Sequence, residues 1–418
     1  MRFKPQTPSL ESEQPVPVEG ETNPFLDNVA DPEVAETTPE TEIPEAVLVE
    51  DTSTSPEAVE AQVQESASDV HNAVTEVEDI GDAIVGLESI AIQLHRIKAA
   101  GASVSAESAS FLSLAVANAT RKFPTAEIGV PAMEDFVLNP ERASTVSLES
   151  VGVKIKAAFE AFVTMIKNMI QRIAAFMGHI TSGGAVAERK AKSLLEKLDK
   201  VNTNAKSTKE ISFPAVLVNP VLSNGAINKL TDVITSVNKA KFAEVLAIFE
   251  KIKQGRHGDI TVGELTSEMQ KIFESYGKFS DDAYIGNLSF KNTDFPPAIV
   301  LVDAEAKSYP CPNQKTVKDY LQSNIKLAQA ITELKKTSRE RATALGNLMT
   351  VLKATQDQMS RDPENLKMGT LALVRGAIQF INKLVSFETR ILGRALQASN
   401  AINNVAAASI TALEAYDK

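Results

Sequence analysis

Hydrophobic residues in the middle of the chain recur in alternating steps of three and four positions. The pattern runs from residue 155 to 180, pauses at Ser182-Gly183-Gly184, and resumes in the same phase as far as Val201. This spacing predicts an amphipathic helix, or a helix pair, with a coiled-coil-like seam. The seam residues of the first half are Ile155, Phe159, Phe162, Ile166, Met169, Ile173, Phe176 and Ile180. We expect this seam to pack on a partner helix, with a membrane surface as the less favoured alternative.

Helical spacing also occurs on both sides of the seam. It covers residues 66–99 and 106–122 before the seam, and two longer stretches at 315–360 and 364–415 near the end of the chain. The last two are separated by Arg361-Asp362-Pro363, which is a typical helix stop and restart. They predict a long antiparallel helical hairpin.

Short apolar runs between the seam and the hairpin predict a few strands. They lie at residues 211–221, 283–290 and 298–302, and helical spacing at 226–253 and 262–276 separates them. This order does not alternate strand and helix regularly, so we expect one small sheet in a compact α+β module. The predicted fold class is mainly α with a small β-containing middle module.

Proline content and the predicted elements divide the chain. Residues 1–65 hold 9 of the 19 prolines and few large apolar residues, which predicts a disordered acidic arm. A polar loop at 123–150 contains three prolines and is the clearest predicted boundary. The remaining divisions are a helical segment with this loop at 66–149, an amphipathic heptad helix or helix pair at 150–205, a small α+β module at 206–312 and a long helical hairpin at 313–418.

Charge changes sign at the end of that loop. Residues 1–149 contain 28 acidic and 7 basic residues, a net charge of −21, whereas residues 150–418 contain 26 acidic and 36 basic residues, a net charge of +10. Opposite charges on two parts of one chain can attract each other and mask a basic surface. An acidic tail without any such role is the simpler alternative.

This sequence lacks the residues that several functional classes require. Cys311 is the single cysteine, and the four histidines are scattered, so neither an internal disulfide nor a Cys/His zinc site is expected. The sequence contains no phosphate-binding loop, dinucleotide fingerprint, HExxH or GxSxG motif. Its first residues lack an apolar segment, so we expect no secretory signal. We therefore expect no enzyme, no catalytic residues, no metal, no cofactor and no small-molecule substrate.

A short small-x-Glu element recurs in the first third of the chain. Gly86-Leu87-Glu88 and Ser147-Leu148-Glu149 share the fuller form, and triplets ending at Glu107 and Glu134 share its core. The triplet also occurs inside predicted helices, so it is weak by itself. Ser147 to Ser150 stand out because they follow the prolines of the polar loop, precede the seam and mark the change in charge.

These segments resemble internal head proteins of giant phiKZ-like tailed bacteriophages, also called inner-body proteins. The resemblance rests on GLESIAIQLHRI, SAESASFLSLAVANAT, VPAMEDF and STVSLES leading into an amphipathic helix. In that family a viral prohead protease cuts after Glu in small-x-Glu motifs and removes a propeptide. The resemblance implies a main cut between Glu149 and Ser150, with Ser147 and Leu148 completing the motif. Glu88, Glu107 and Glu134 would be candidate sites of earlier cuts.

The resemblance implies a structural virion protein that assembles in the host cytoplasm and is carried inside the capsid head. Its partners would be the prohead protease, which cuts it, and other capsid or inner-body proteins. Non-specific contact with packaged DNA and self-association stay open. The alternative from the residues alone is a cellular helical adaptor or membrane-surface protein with an acidic regulatory tail.

Overall fold

The structure is a computed structural model dominated by long helices. It describes residues 55–100, 140–202, 205–239, 282–291, 297–361 and 368–415, with single positions at 110, 111, 114, 115, 267, 270, 271, 273, 274 and 279. The helices are α1 (Pro56–Ala100), α2 (Pro140–Leu198), α3 (Asn224–Asn238), α4 (Gln314–Arg361) and α5 (Met368–Glu414). The strands are β1 (Glu210–Phe213), β2 (Leu288–Lys291), β3 (Ala298–Leu301) and β4 (Lys307–Pro310).

The helices α1 and α2 lie side by side and run in opposite directions. Near the beginning of α1, Val59 contacts the backbone position of Gly183 in α2. Farther along α1, Gly81 faces the ring of Phe162, which lies much earlier in α2. Each helix turns an apolar face toward the other, as expected for amphipathic helices that share a core.

The helix α4 packs against the second half of α2, also in the antiparallel direction. Gln329 donates a hydrogen bond to Glu188 at 2.9 Å. One end of the contact is marked by Lys318, whose ammonium group lies 2.9 Å from the carboxylate of Asp199. Both of these pairs are at the surface, so each contributes little to the stability of the fold. They show how α4 is aligned along α2.

The helix α5 completes the bundle and runs parallel to α2. Leu396 of α5 contacts the position of Gly183, and Lys190 donates a hydrogen bond to Asn404 at 2.8 Å. Since α4 is antiparallel to α2, α4 and α5 are antiparallel to each other, which confirms the predicted helical hairpin. Together α1, α2, α4 and α5 form a four-helix bundle.

The strands form two separate two-stranded antiparallel sheets rather than the single sheet that we expected. β1 pairs with β4, with Ile211 opposite Tyr309, and β2 pairs with β3, with Phe290 opposite Ile299. The sequence does not reveal β4 because Lys-Ser-Tyr-Pro has little apolar character. Two-stranded sheets are marginal alone, so these depend on packing against the bundle.

The module at residues 206–312 is attached to the bundle by both polar and aromatic contacts. Tyr320 of α4 donates a hydrogen bond to the backbone oxygen of Leu222 at 3.0 Å, and Asn238 of α3 donates to the backbone oxygen of Ala330 at 2.7 Å. Phe290 of β2 lies within ring-contact distance of Phe387 in α5, at 6.3 Å between centroids. One hydrophobic core therefore runs from α1 through α2 and α5 into this module.

Two buried asparagines connect three helices of the bundle. Asn324 of α4 donates hydrogen bonds to the side-chain oxygen of Asn403 at 2.9 Å and to the backbone oxygen of Ser399 at 3.0 Å. Asn403 of α5 donates to the backbone oxygen of Ala187 in α2 at 2.9 Å. Both asparagines are fully buried. Buried amides need such partners, because an unsatisfied polar group in a core is costly.

Replacing Asn403 with alanine is expected to lower the free energy of unfolding by about 1–3 kcal/mol, because it removes the hydrogen bond to the Ala187 oxygen and leaves one N–H of the buried Asn324 amide without its acceptor. Urea denaturation followed by circular dichroism measures this. The adjacent Asn404 is exposed and pairs with the half-buried Lys190. Asn404→Ala should change stability by no more than about 0.5 kcal/mol. Equal effects of the two substitutions would contradict a structural role for the buried amide.

The predicted helices at 66–99, along the seam, at 315–360 and at 364–415 are confirmed over the described residues, and the one at 226–253 is confirmed as far as Asn238. Those at 106–122 and 262–276 lie largely outside the described residues. One predicted loop is wrong in part. α2 is a single helix that continues through Ser182-Gly183-Gly184, rather than a helix pair. However, α2 begins at Pro140, so residues 140–150 are helical where we expected a loop. Residues 123–139 of that loop lie outside the described residues. The predicted division at 65 falls inside α1, and the predicted division at 149 falls inside α2.

Candidate processing site and helix-packing seam

The seam of α2 lies in the bundle core. Phe162, Ile166, Met169, Phe176 and Ile180 are each no more than 1% exposed. Ile155 and Ile173 are half-buried, and the side chain of Phe159 is outside the described residues. Burying a side chain of this size contributes about 1.5–3 kcal/mol relative to leaving it in water. Within this chain, the face is covered mainly by α1.

Beyond the glycines the seam continues with smaller residues. Ala187 and Ala191 are fully buried, followed by Leu194 and Leu198. Small residues let helix backbones approach closely, and here α2 approaches α4 and α5. A Cβ atom at Gly184 would lie 3.1 Å from the backbone oxygen of Ala328 in α4. The seam therefore has an aromatic half facing α1 and a small-residue half facing the hairpin.

The main predicted processing motif, Ser147 to Ser150, lies in the first three turns of α2. Its backbone is helical, and its side chains are outside the described residues. The described side chains of α2 start with Val153, which is 68% exposed, and continue with Lys154, which is buried. Burial lowers the pKa of the Lys154 ammonium group. The motif thus precedes the first described side chains of the helix.

The other predicted cut sites have different surroundings. Glu88 lies within α1, next to the fully buried Leu87 and two positions before the buried Ile90. Glu107 and Glu134 lie outside the described residues. The motif around Glu88 therefore belongs to a helix whose inner face packs in the core.

Cys311 has surroundings that suit an unreactive thiol. It is half-buried after β4, and its thiol lies 3.8 Å from the backbone oxygen of Ser409. Burial raises the pKa of the Cys311 thiol, which lowers its thiolate fraction at neutral pH. Within the described ranges, no three His, Cys, Asp or Glu side chains come together as a metal-binding group.

A cavity of about 520 Å³ lies between α1, β3 and α5. Asn382 of α5 forms part of its wall and is 1% exposed, and among the described residues neither of its polar side-chain atoms has a hydrogen-bond partner. Thr75 and Glu78 contribute the α1 side of the cavity. The contact between α1 and α5 is therefore less complete here than the contact between α1 and α2.

Among the described helices, none is both long enough and apolar enough to cross a membrane.

Comparison with known proteins gives one match. A family model described as phiKZ-like phage internal head proteins matches residues 42–414, which covers all of the helices and strands given above. No curated protein and no solved structure matches the chain. The matched span includes α1 and the segment before α2 as well as the α+β module and the hairpin. The chain therefore belongs to the phiKZ-like phage internal head proteins, structural proteins located inside the phage capsid head.

Proposed function

We propose that this internal head protein is a non-enzymatic structural precursor whose first 149 residues are severed from the rest by the prohead protease. The observation that carries the proposal is the position of Ser147-Leu148-Glu149 at the start of α2, ahead of the packed seam. The cut between Glu149 and Ser150 would separate the acidic part of the chain from the basic part. The partners of this internal head protein are then the protease, other capsid proteins and the DNA around it.

Glu149 lies near the start of α2, whereas Glu88 lies well inside α1. This difference in location favours a cut at Glu149 over a cut at Glu88. A protease must draw several residues of its substrate into an extended form, and this costs little where few buried contacts must open. Opening the first turns of α2 does not disturb Phe162 or Ile166. Opening α1 around Glu88 removes Leu87 and Ile90 from the core. In the folded protein we therefore expect Glu149 to be cut first.

The charge distribution supports contact with packaged DNA. Residues 150–418 carry a net charge of +10, and basic pairs such as Arg189-Lys190 and Lys335-Lys336 lie on helices without aromatic residues interleaved for base stacking. Such a surface attracts phosphates without reading sequence, so binding would weaken steeply as salt rises. Capsid DNA is dense, and a weak non-specific contact is sufficient there.

The proposed cut is tested by mass spectrometry and N-terminal sequencing of the protein from purified particles. We expect a chain that starts at Ser150 and contains 269 residues. Glu149→Gln removes the negative charge with little change in shape, and should leave the bond after residue 149 intact both in particles and with purified protease.

The matched control uses a second copy of the motif in the same helix. Ala158-Phe159-Glu160 has the same small-x-Glu form but lies within the packed seam, next to Phe162. Glu160→Gln should leave processing unchanged. An uncut chain in mature particles, or normal cutting of the Glu149→Gln variant, would refute the proposed site.

A further inference from the structure

The helix α1 precedes the proposed cut, yet it is one of the four helices of the bundle. Its inner face carries a continuous row of buried apolar residues. These are Val59, Val63, Val70, Ala73, Val74, Val77, Ile80, Ala83, Ile84, Leu87, Ile90 and Leu94. At 1.5 Å per residue, the row extends over about 50 Å of helix. Removing α1 would therefore take away one full side of the core.

Contacts that fix α1 are spread along this row. At its beginning, Glu60 forms a hydrogen bond with Asn400 of α5. About two and a half turns farther on, the guanidinium group of Arg172 donates a hydrogen bond to the backbone oxygen of Asp69 at 3.2 Å. Still farther along, the Phe162 ring lies beside Gly81, 3.9 Å from where a Cβ atom on that glycine would be. Burial raises the pKa of the Glu60 carboxyl group despite its hydrogen bond, which indicates that this end is also partly shielded from water.

The alternative to retention is an exposed apolar groove. Without α1, the aromatic half of the seam, including Phe162, Ile166, Met169 and Phe176, would face water on α2. Contiguous apolar surfaces of this kind are rare on soluble proteins and favour association. Cutting the chain removes only the covalent link between α1 and α2. The entropy that a free α1 would gain by leaving is then opposed by the large, well-packed interface that holds it.

We propose that residues 56–100 stay bound after the cut, so that the processed protein is a two-chain bundle in which α1 is a non-covalent subunit. This inference rests on the proposed cut after Glu149. The groove on α2 and α5 is thus a docking surface whose occupant is the chain's own severed helix. Cleavage after Glu149 divides the chain into two but leaves the aromatic half of the seam covered by α1.

Retention also limits how far the cut can expose positive charge. Residues 56–149 contain 15 acidic and 5 basic residues, and 1–55 contain 13 acidic and 2 basic residues. While α1 stays docked, the acidic residues on its outer face, such as Asp69 and Glu76, remain beside the basic part. Severing the bond after Glu149 therefore does not by itself release the full +10 charge of residues 150–418.

The test uses the full chain with a recognition site for a sequence-specific protease inserted between Pro131 and Ala132. After complete digestion, we expect gel filtration under native conditions to give one peak with both fragments in equal amounts. We also expect the helical circular dichroism signal of the undigested chain to be retained. Separation of the fragments at micromolar concentration would overturn the inference.

A pair of variants tests whether the inner face of α1 holds it. Val77→Asp places a charge at a fully buried position, whereas Asn72→Asp places the same charge on the exposed face. After digestion, we expect Val77→Asp to weaken fragment association at least about tenfold and Asn72→Asp to leave it unchanged. Equal retention of both variants would overturn the assignment of this face. If Val77→Asp is already unfolded before digestion, the unmodified chain still decides the question.

The outcome in particles separates this inference from the proposed function. Where the chain is found cut after Glu149, peptides from residues 56–100 should be present in equal molar amount with those from residues 150–418. Their depletion would overturn retention while the cut stands. Conversely, the inserted site makes the digestion experiment independent of whether the viral protease cuts at Glu149.

Discussion

Replacing Phe162 with alanine is expected to lower the free energy of unfolding by about 3–5 kcal/mol. The ring is 1% exposed and lies in the seam between α1 and α2, where it faces Gly81. The substitution removes one of the largest fully buried side chains in this core and leaves a cavity that the two packed helices cannot close. Urea denaturation with a two-state fit measures the change, provided that the transition is cooperative.

The control for Phe162 is another phenylalanine outside the core. Phe111 is 73% exposed, so Phe111→Ala should change the free energy of unfolding by no more than about 0.5 kcal/mol. A Phe162→Ala variant as stable as the unmodified chain would mean that α1 does not pack on the seam in solution. It would also remove the basis for retention of α1 after the cut.

Replacing Gly184 with alanine is expected to lower the free energy of unfolding by about 1–3 kcal/mol, although alanine is the better helix former. The added Cβ would lie 2.9 Å from side-chain atoms of both Ile331 and Thr332, and 3.1 Å from the backbone oxygen of Ala328. The side chains can rotate away, but the backbone oxygen moves only if α4 as a whole shifts. The same denaturation measurement applies.

Gly178 provides a matched comparison in the same helix. A Cβ atom there would have no neighbour within 4 Å. Gly178→Ala should therefore raise the free energy of unfolding by about 0.5–1 kcal/mol through helix propensity alone. The prediction is a difference in sign between the two substitutions. A gain in stability at Gly184 would show that α2 and α4 do not approach as closely as the structure places them.

The helices could be predicted well because their information is local. The three-four spacing between residues 155 and 201 requires nothing beyond α2 itself, and the break at Asp362-Pro363 separates the two helices of the hairpin. The misassigned loop at 140–150 shows the limit of such rules. Proline and a Ser/Thr cluster favour a turn, but Pro140 occupies the first position of a helix, where it needs no hydrogen-bond partner and its restricted backbone fits.

Long-range pairings could not be predicted from the sequence. β4 becomes a strand only because β1, far away along the chain, offers it backbone hydrogen-bonding partners. The same applies to the candidate site. The seam pattern indicates that α2 packs on a helix, but several amphipathic helices in the chain would satisfy it. Only the structure identifies α1 as the helix that covers Phe162, and so places an essential part of the core ahead of Glu149.

The buried amides of Asn324 and Asn403 also restrict how the helices can slide. A shift of α5 by one helical turn, about 5.4 Å, would move Asn403 away from both Asn324 and the Ala187 oxygen. Purely apolar faces would tolerate that shift, because one leucine replaces another with little penalty. The amides make one alignment far better than its neighbours. Insertions between these anchor points should therefore be rare among relatives, and length differences should accumulate in the segments that connect the helices.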